Sequence, residues 1–142
     1  MNLTLKETKD LDYEKVVDIF YEVKFLKYSE KRAVYKETIE KAFRNSQYVV
    51  SAWDGDEMVG FTRVITDNSL FATIWNMLIK PSYQKKGVGK MLIQRCLDTF
   101  PELNFFLFSG EHSVDFYKKN GFDVHRFGMY LKDGFKRCVI YT

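Results

Sequence analysis

The residues best suited to chemistry lie in the run Gln84-Lys85-Lys86-Gly87-Val88-Gly89-Lys90. Glycines spaced by two let a backbone approach a bulky anion with no Cβ in the way. The apolar residues that follow, Val88, Met91, Leu92 and Cys96, recur at helical spacing, so the run opens a helix. The first N–H groups of a helix are unpaired and sit at the positive end of its dipole, which makes a ready anion site. Lys80, Lys85, Lys86 and Lys90 add local positive charge of the kind that suits a small phosphorylated ligand. Two common phosphate loops do not match. A Walker loop needs Ser or Thr after its Gly-Lys pair and a glycine upstream; Met91 follows Lys90, and Gln84 stands where that glycine belongs. The dinucleotide fingerprint needs a third glycine where this chain has Leu92.

The elements around this loop can be read from periodicity. Residues 2–8 alternate as a half-buried strand does, and Asp10 or Asp12 can cap the helix that follows. That helix puts Val16, Ile19, Phe20 and Val23 on one face. Ser29 reads as the cap of a second helix carrying Tyr35, Ile39, Ala42 and Phe43. Tyr48–Trp53 and Met58–Ile65 read as strands joined through Asp54-Gly55-Asp56, a hairpin signal. Asp67-Asn68-Ser69 is a further turn, and Leu70–Ile79 a longer strand. After the helix over 87–99, Leu103–Phe108 is a short continuous apolar run that suits a buried central strand. Ser113 can cap a short helix through Asn120, which Gly121 can close in the left-handed conformation. Phe122–Leu131 and Phe135–Tyr141 read as a last hairpin through Asp133-Gly134. The order is β-α-α-β-β-β-α-β-α-β-β, an α+β chain with a mostly antiparallel sheet. Strand 70–79, helix 87–99 and strand 103–108 form a βαβ unit, whose strands should be parallel neighbours with ligands at their carboxyl ends.

Two further motifs flank the loop. Ile79-Lys80-Pro81-Ser82-Tyr83-Gln84 leads into it, and Phe116-Tyr117-Lys118-Lys119-Asn120-Gly121-Phe122 lies one strand beyond it. Together with the loop, which reads Q-x-x-G-x-G, these resemble the GNAT N-acetyltransferase superfamily. The resemblance runs over essentially the whole chain. It implies the GNAT acyltransferase fold: a mixed, mostly antiparallel twisted sheet of about seven strands with about four helices, and a splayed parallel strand pair where coenzyme A binds.

The same resemblance implies a chemistry. The pantetheine arm of acetyl-CoA, the acyl-donor substrate, would pair with the backbone of Met77, Leu78 and Ile79. The pyrophosphate would rest on backbone N–H groups from Gln84 through Lys85, Lys86, Gly87, Val88 and Gly89 to Lys90. Tyr117 matches the tyrosine that meets the CoA sulfur. A primary amine, on a small molecule or a peptide, would attack directly. The family often has an acid on the strand before the loop, and that position falls on Asn76, which cannot serve as a base. Glu111 and His112 are substitutes, with turn residues ahead of Ser113 as their plainer reading. The alternative function is a catalytically weak acyl-CoA sensor or partner-binding module. Phe25, Tyr28, Phe127 and Tyr130 would shape the acceptor side and lean it toward an apolar or aromatic amine. The resemblance implies no metal and allows a homodimer.

Composition bounds the remaining classes. The 142 residues suit a single domain spanning 1–142, with 46% apolar and 29% charged residues. A net charge of +3 with dispersed basic residues is not a nucleic-acid signature. No segment approaches the roughly 20 apolar residues of a membrane span. The residues after Met1 do not read as a signal peptide, and Cys96 and Cys138 read as free thiols, so the expected compartment is the cytoplasm.

Overall fold

The computed structural model describes residues 1–134 and 137–141. Five strands form one sheet in the order β1-β2-β3-β4-β5. They are β1 (Leu3–Lys6), β2 (Tyr48–Asp54), β3 (Glu57–Thr66), β4 (Phe71–Ile79) and β5 (Asn104–Leu107). β1 to β4 pair antiparallel, and β4 pairs with β5 in parallel. The four helices are α1 (Tyr13–Glu22), α2 (Arg32–Arg44), α3 (Val88–Thr99) and α4 (Val114–Lys119). The chain therefore has the α+β architecture expected of it, with the βαβ unit β4–α3–β5 at one edge of the sheet; β5, expected to be central and buried, is among the described residues an edge strand with Phe106 exposed.

The sheet separates two apolar clusters. α1 and α2 pack Val16, Ile19, Phe20, Ile39 and Phe43 against Val49, Met58 and Phe61 on one face. α3 packs Val88, Leu92, Ile93 and Cys96 against Val50, Val59, Val64 and Ile74 on the other, and Phe116 and Tyr117 of α4 join that side. Period-2 strands with both faces apolar are what a central sheet covered on both sides requires.

Local chemistry sets most boundaries. Asp12 caps α1, its carboxylate accepting from the N–H of Glu14 at 3.0 Å. The β2–β3 hairpin turns on Gly55 at φ 60. The carboxylate of Asp67 accepts from the N–H groups of Ser69, Leu70 and Phe71 and is held below its usual range by them. Ser29 is not the cap of α2. The helix starts later, after Lys31, and the Ser29 hydroxyl accepts from the Lys31 N–H instead.

The sheet stops at five strands because the last hairpin does not form among the described residues. Phe122–Leu131 carries turns and irregular backbone. Of the second half, Phe135 and Lys136 lie outside the described residues, and Val139–Tyr141 is a single 3-10 turn. Ile140 in that turn packs on the α1/α2 cluster, so the chain folds back toward the helices and not along β5.

Two irregularities matter for the site. β4 carries a bulge against β3: Phe61 faces Leu78 and Arg63 faces Trp75, leaving Asn76 and Met77 opposite Thr62 alone. The parallel pair also ends early, its last partners being Ile74 and Leu107, so β4 runs on to Ile79 with β5 no longer beside it. The end of β4 is thus left without a β5 partner, as the expected splay requires.

Candidate active site

The site assembles where β4 outruns β5. A 3-10 turn at Pro81–Tyr83 leads from β4 to the loop, and Gln84 closes that turn. Lys85 at φ 61 and Gly87 at φ 88 both take the left-handed conformation, which turns the chain sharply into α3. Glycine reaches φ 88 without steric cost, which accounts for Gly87. From Lys85 to Lys90 no backbone N–H donates to a backbone carbonyl of a described residue. The first α3 bond of this kind is Met91 N–H to Gly87 O at 3.1 Å. A run of free donors at the positive end of a 12-residue helix can hold a polyanion.

Gly89 serves a different purpose from Gly87. It is buried, and a Cβ placed on it would come within 3.0 Å of Phe116 and 3.1 Å of Ile79. The glycine lets α4 and the end of β4 close onto the first turn of α3. Val88 beside it is fully buried and anchors the loop to the sheet. Lys85, Lys86 and Lys90 stay exposed around the free N–H groups. Lys80 does not share that role: its ammonium pairs with Glu57 at 3.0 Å and Glu22 at 3.9 Å.

A polar latch fixes the loop to the opposite hairpin. The Tyr83 hydroxyl donates to Asp54 at 2.8 Å and lies 3.3 Å from Glu57. The Asp54 bond pushes the Tyr83 phenol up to about 12. The Asp54 carboxyl is held low, first by the Asn2 N–H and then by Tyr83. Gln84 adds a bond from its side-chain amide to the carbonyl of Ile79 at 3.0 Å.

Tyr117 sits on α4 among Phe116 and Phe122, at ring distances of 5.1 and 5.9 Å. Burial pushes its phenol up to about 12. It lines a cavity of about 710 Å³ beside β5, together with Phe105, Leu107, Val114 and Phe122. A neutral hydroxyl in an apolar wall can give a hydrogen bond and keeps its proton while doing so.

Asn76 occupies the β4 bulge at φ 51, and its side-chain oxygen accepts from Arg63 Nε at 2.9 Å. Met77 and Ile79 pack on the α3 side and Leu78 on the α1/α2 side. The Glu111 and His112 side chains are out in solvent, 3.2 Å apart in one short turn. Phe25 packs its ring on Phe20 at 5.2 Å, while Tyr28 is 94% exposed and Phe127 and Tyr130 are largely exposed. Two features of the site escape periodicity. One is the latch through Tyr83. The other is Arg63, a charged residue inside the otherwise buried run Met58–Val64, and that mismatch is the signal that could have found it. Among the described residues no group of three or more His, Cys, Asp and Glu is placed to hold a metal ion, and no helix is long and apolar enough to cross a membrane. Cys96 and Cys138 are free thiols.

Comparison with known proteins bears directly on this geometry. Residues 13–122 match the model of the Acetyltransferase (GNAT) family. A histone acetyltransferase of Glycine max is 36% identical over 70 residues, covering 47% of this chain and 30% of that protein. An uncharacterized N-acetyltransferase, ycf52, of Pyropia yezoensis is 33% identical over 91 residues, covering 59% of this chain and 52% of its own. The chain thus spans about half, or less, of the length of these curated relatives. A GNAT family acetyltransferase of Streptococcus pneumoniae TIGR4 superposes with a TM-score of 0.76 at 26% identity, covering 91% of this chain and 96% of that one.

Proposed function

This chain belongs to the acetyltransferase (GNAT) family, and from that premise we propose that it moves an acetyl group from acetyl-CoA to a primary amine by direct attack in a ternary complex. The observation that carries the reading is the run of free N–H groups from Lys85 to Lys90, set beside the unpaired end of β4. In this reading the run holds the pyrophosphate, with Lys85, Lys86 and Lys90 around it. The backbone of Met77 to Ile79, which has no β5 partner, receives the pantetheine arm.

The amine nitrogen attacks the thioester carbonyl carbon, the C–S bond breaks, and CoA leaves as a thiolate that takes up a proton. Two barriers follow from acidity. A free alkyl amine near pKa ~10.4 is only about one part in ~2,500 neutral at pH 7, a deficit of roughly 4.6 kcal/mol. The side chain of Asn76 is no base, and Arg63 already holds it. A desolvating pocket would have to lower the amine's pKa so that it sheds its proton to water, or an exposed group such as Glu111 would have to take that proton. The second barrier is the leaving group. With the Tyr117 phenol near 12 and a thiol near ~8.5, complete proton transfer to sulfur would be uphill by roughly 5 kcal/mol. Tyr117 therefore acts as a hydrogen-bond donor to the developing thiolate.

The test is release of free CoA thiol when acetyl-CoA meets a panel of amines, with longer acyl-CoAs alongside. Steady release with any amine supports the transferase. Tight acetyl-CoA binding with no release across the panel would favour a catalytically weak acyl-CoA sensor, which the neutral, occupied Asn76 side chain keeps in view. Apolar and aromatic amines, alone and at peptide ends, head the panel.

A further inference from the structure

The bulge in β4 is held from β3 by two neighbouring side chains. Asn76 is the only residue of β4 in the left-handed region, a conformation that L side chains avoid and Asn tolerates better than most. Asn76 and Met77 have no register partner on β3 beyond Thr62, and β5 has already ended. Neither ladder gives these two residues a register partner of their own. Thr62, fully buried, donates from its hydroxyl to the Trp75 carbonyl at 3.0 Å. Arg63 donates from Nε to the Asn76 side-chain oxygen at 2.9 Å. The same guanidinium donates from Nη1 to Ser46 Oγ at 3.3 Å, and the Ser46 hydroxyl donates to the Ala42 carbonyl at 2.8 Å. Its Cζ lies 5.8 Å from the ring centre of Phe43. A continuous hydrogen-bonded path thus runs from the last turn of α2, through Ser46 and Arg63, to the one left-handed residue of β4.

We propose that Arg63 is a positioning residue for acetyl transfer: it locks the Asn76 bulge and so fixes where the neighbouring Met77 N–H points. The proposal rests on the acetyl-CoA reading above, and takes the Met77 amide, in the backbone that receives the pantetheine arm, as the donor to the thioester carbonyl. A single preorganised donor to a developing oxyanion is worth about 10²–10³ in turnover. A donor that is present but free to swing loses part of that. An arginine with only a packing role would be satisfied by its contacts with Phe43 and Ser46. Here Nε is spent on the side chain of the residue whose backbone geometry most needs holding.

Arg63→Met keeps the apolar bulk over Phe43 and removes the donors. It should lower kcat about ten- to a hundredfold while the Kd for acetyl-CoA stays within about threefold. In the wild type the Met77 amide cross-peak should shift with acetyl-CoA beyond its shift with CoA alone, and that extra shift should vanish in Arg63→Met. Asn76→Gly keeps the left-handed backbone accessible and removes the anchor, so it should reproduce the loss, and adding Arg63→Met to it should lower kcat no further. A folded Arg63→Met variant with wild-type kcat overturns the proposal, and so do losses that multiply in the double variant. Should Arg63→Met fail to fold, Asn76→Gly decides alone: full kcat there overturns the lock, and a ten- to a hundredfold loss supports it. If the wild type neither binds acetyl-CoA nor releases thiol, the acetyl-transfer reading falls and this one with it. Wild-type turnover with an indifferent Arg63 removes only the lock.

Discussion

Two stretches of this chain are rich in turn residues and apolar anchors, and they end up in opposite conditions. The passage from Ile79 to Lys90 is irregular yet held on both sides of its exposed turn. Tyr83 bonds Asp54, Lys80 pairs with Glu57, Gln84 returns to Ile79, and Gly89 lets Phe116 close on α3. The passage from Phe122 to Leu131 is rich in strand-forming residues and pairs with no strand among the described residues. Val124, Phe127, Met129, Tyr130 and Leu131 are all exposed. The contrast teaches that irregular backbone can be anchored by specific polar and packing contacts, and that strand-forming composition alone does not build a strand.

That contrast can be broken by substitution. The largest effect belongs to α4, which closes on the held side through Phe116. Tyr117→Phe should lower turnover about ten- to a thousandfold with little change in acetyl-CoA affinity, measured by steady-state kinetics and calorimetry. Because burial raises this phenol to about 12, it stays protonated below that value, and the rate–pH profile should show no falling limb from it there. Turnover equal to wild type would remove Tyr117 from the chemistry.

Next comes the contact behind the loop. Gly89→Val drives a branched side chain into Phe116 and Ile79. It should cost about 1–3 kcal/mol in denaturant unfolding and weaken acetyl-CoA binding by tenfold or more, about the ratio that 1.4 kcal/mol represents. Unperturbed stability would mean that α4 is not packed on α3 as described.

A smaller effect is expected of the latch. Tyr83→Phe deletes the bond to Asp54 and should weaken acetyl-CoA binding about two- to tenfold. The Asp54 carboxyl, held low partly by that bond, should titrate at higher pH in the variant. The sign follows: a carboxyl with a lowered folded-state pKa stabilises above its ordinary range, and that contribution is lost as pH falls through the folded value. Carbon-detected titration of Asp54 in both proteins reads it directly.

On the loose side, almost nothing should happen. Leu131→Lys and Met129→Ser should each change unfolding free energy by no more than about 0.5 kcal/mol, since neither side chain is buried. A loss well above that in either variant would show that this stretch is packed in solution and that the two passages are alike.

The same division governs what could be read from residue order. The glycine loop, the α3 stripe, the βαβ unit and the short helix before Gly121 were legible because their signals are local, glycines at fixed offsets and an apolar period, although Ser113 makes no capping bond to that helix. The early end of the β4–β5 pair followed from the family resemblance. The terminal hairpin was not legible, because a strand exists only through a partner strand, and an Asp-Gly turn between apolar stretches cannot say whether one is within reach. The role of Asn76 was half legible. Its failure as an acid is plain from its chemistry, but its left-handed backbone and its bond to Arg63 depend on a register that only the paired strands define. Lys80 looked like one more cation at the loop and is consumed by two carboxylates that lie far from it in the chain.

The bulge at Asn76 carries a consequence for chain length. In a strand without interruption Ile74 and Met77 would look to opposite sides, yet both belong to the α3 side of the sheet. Asn76 is the extra residue that turns the strand over. Deleting it would do more than shorten β4. Met77 and Ile79 would be turned toward α1, and Leu78 toward α3, with the Pro81 turn and the loop carried round after them. β4 is therefore a strand whose length counts by parity. It can lose a residue at either end with modest effect, but a single deletion in its middle would present the wrong face of the chain to everything that follows.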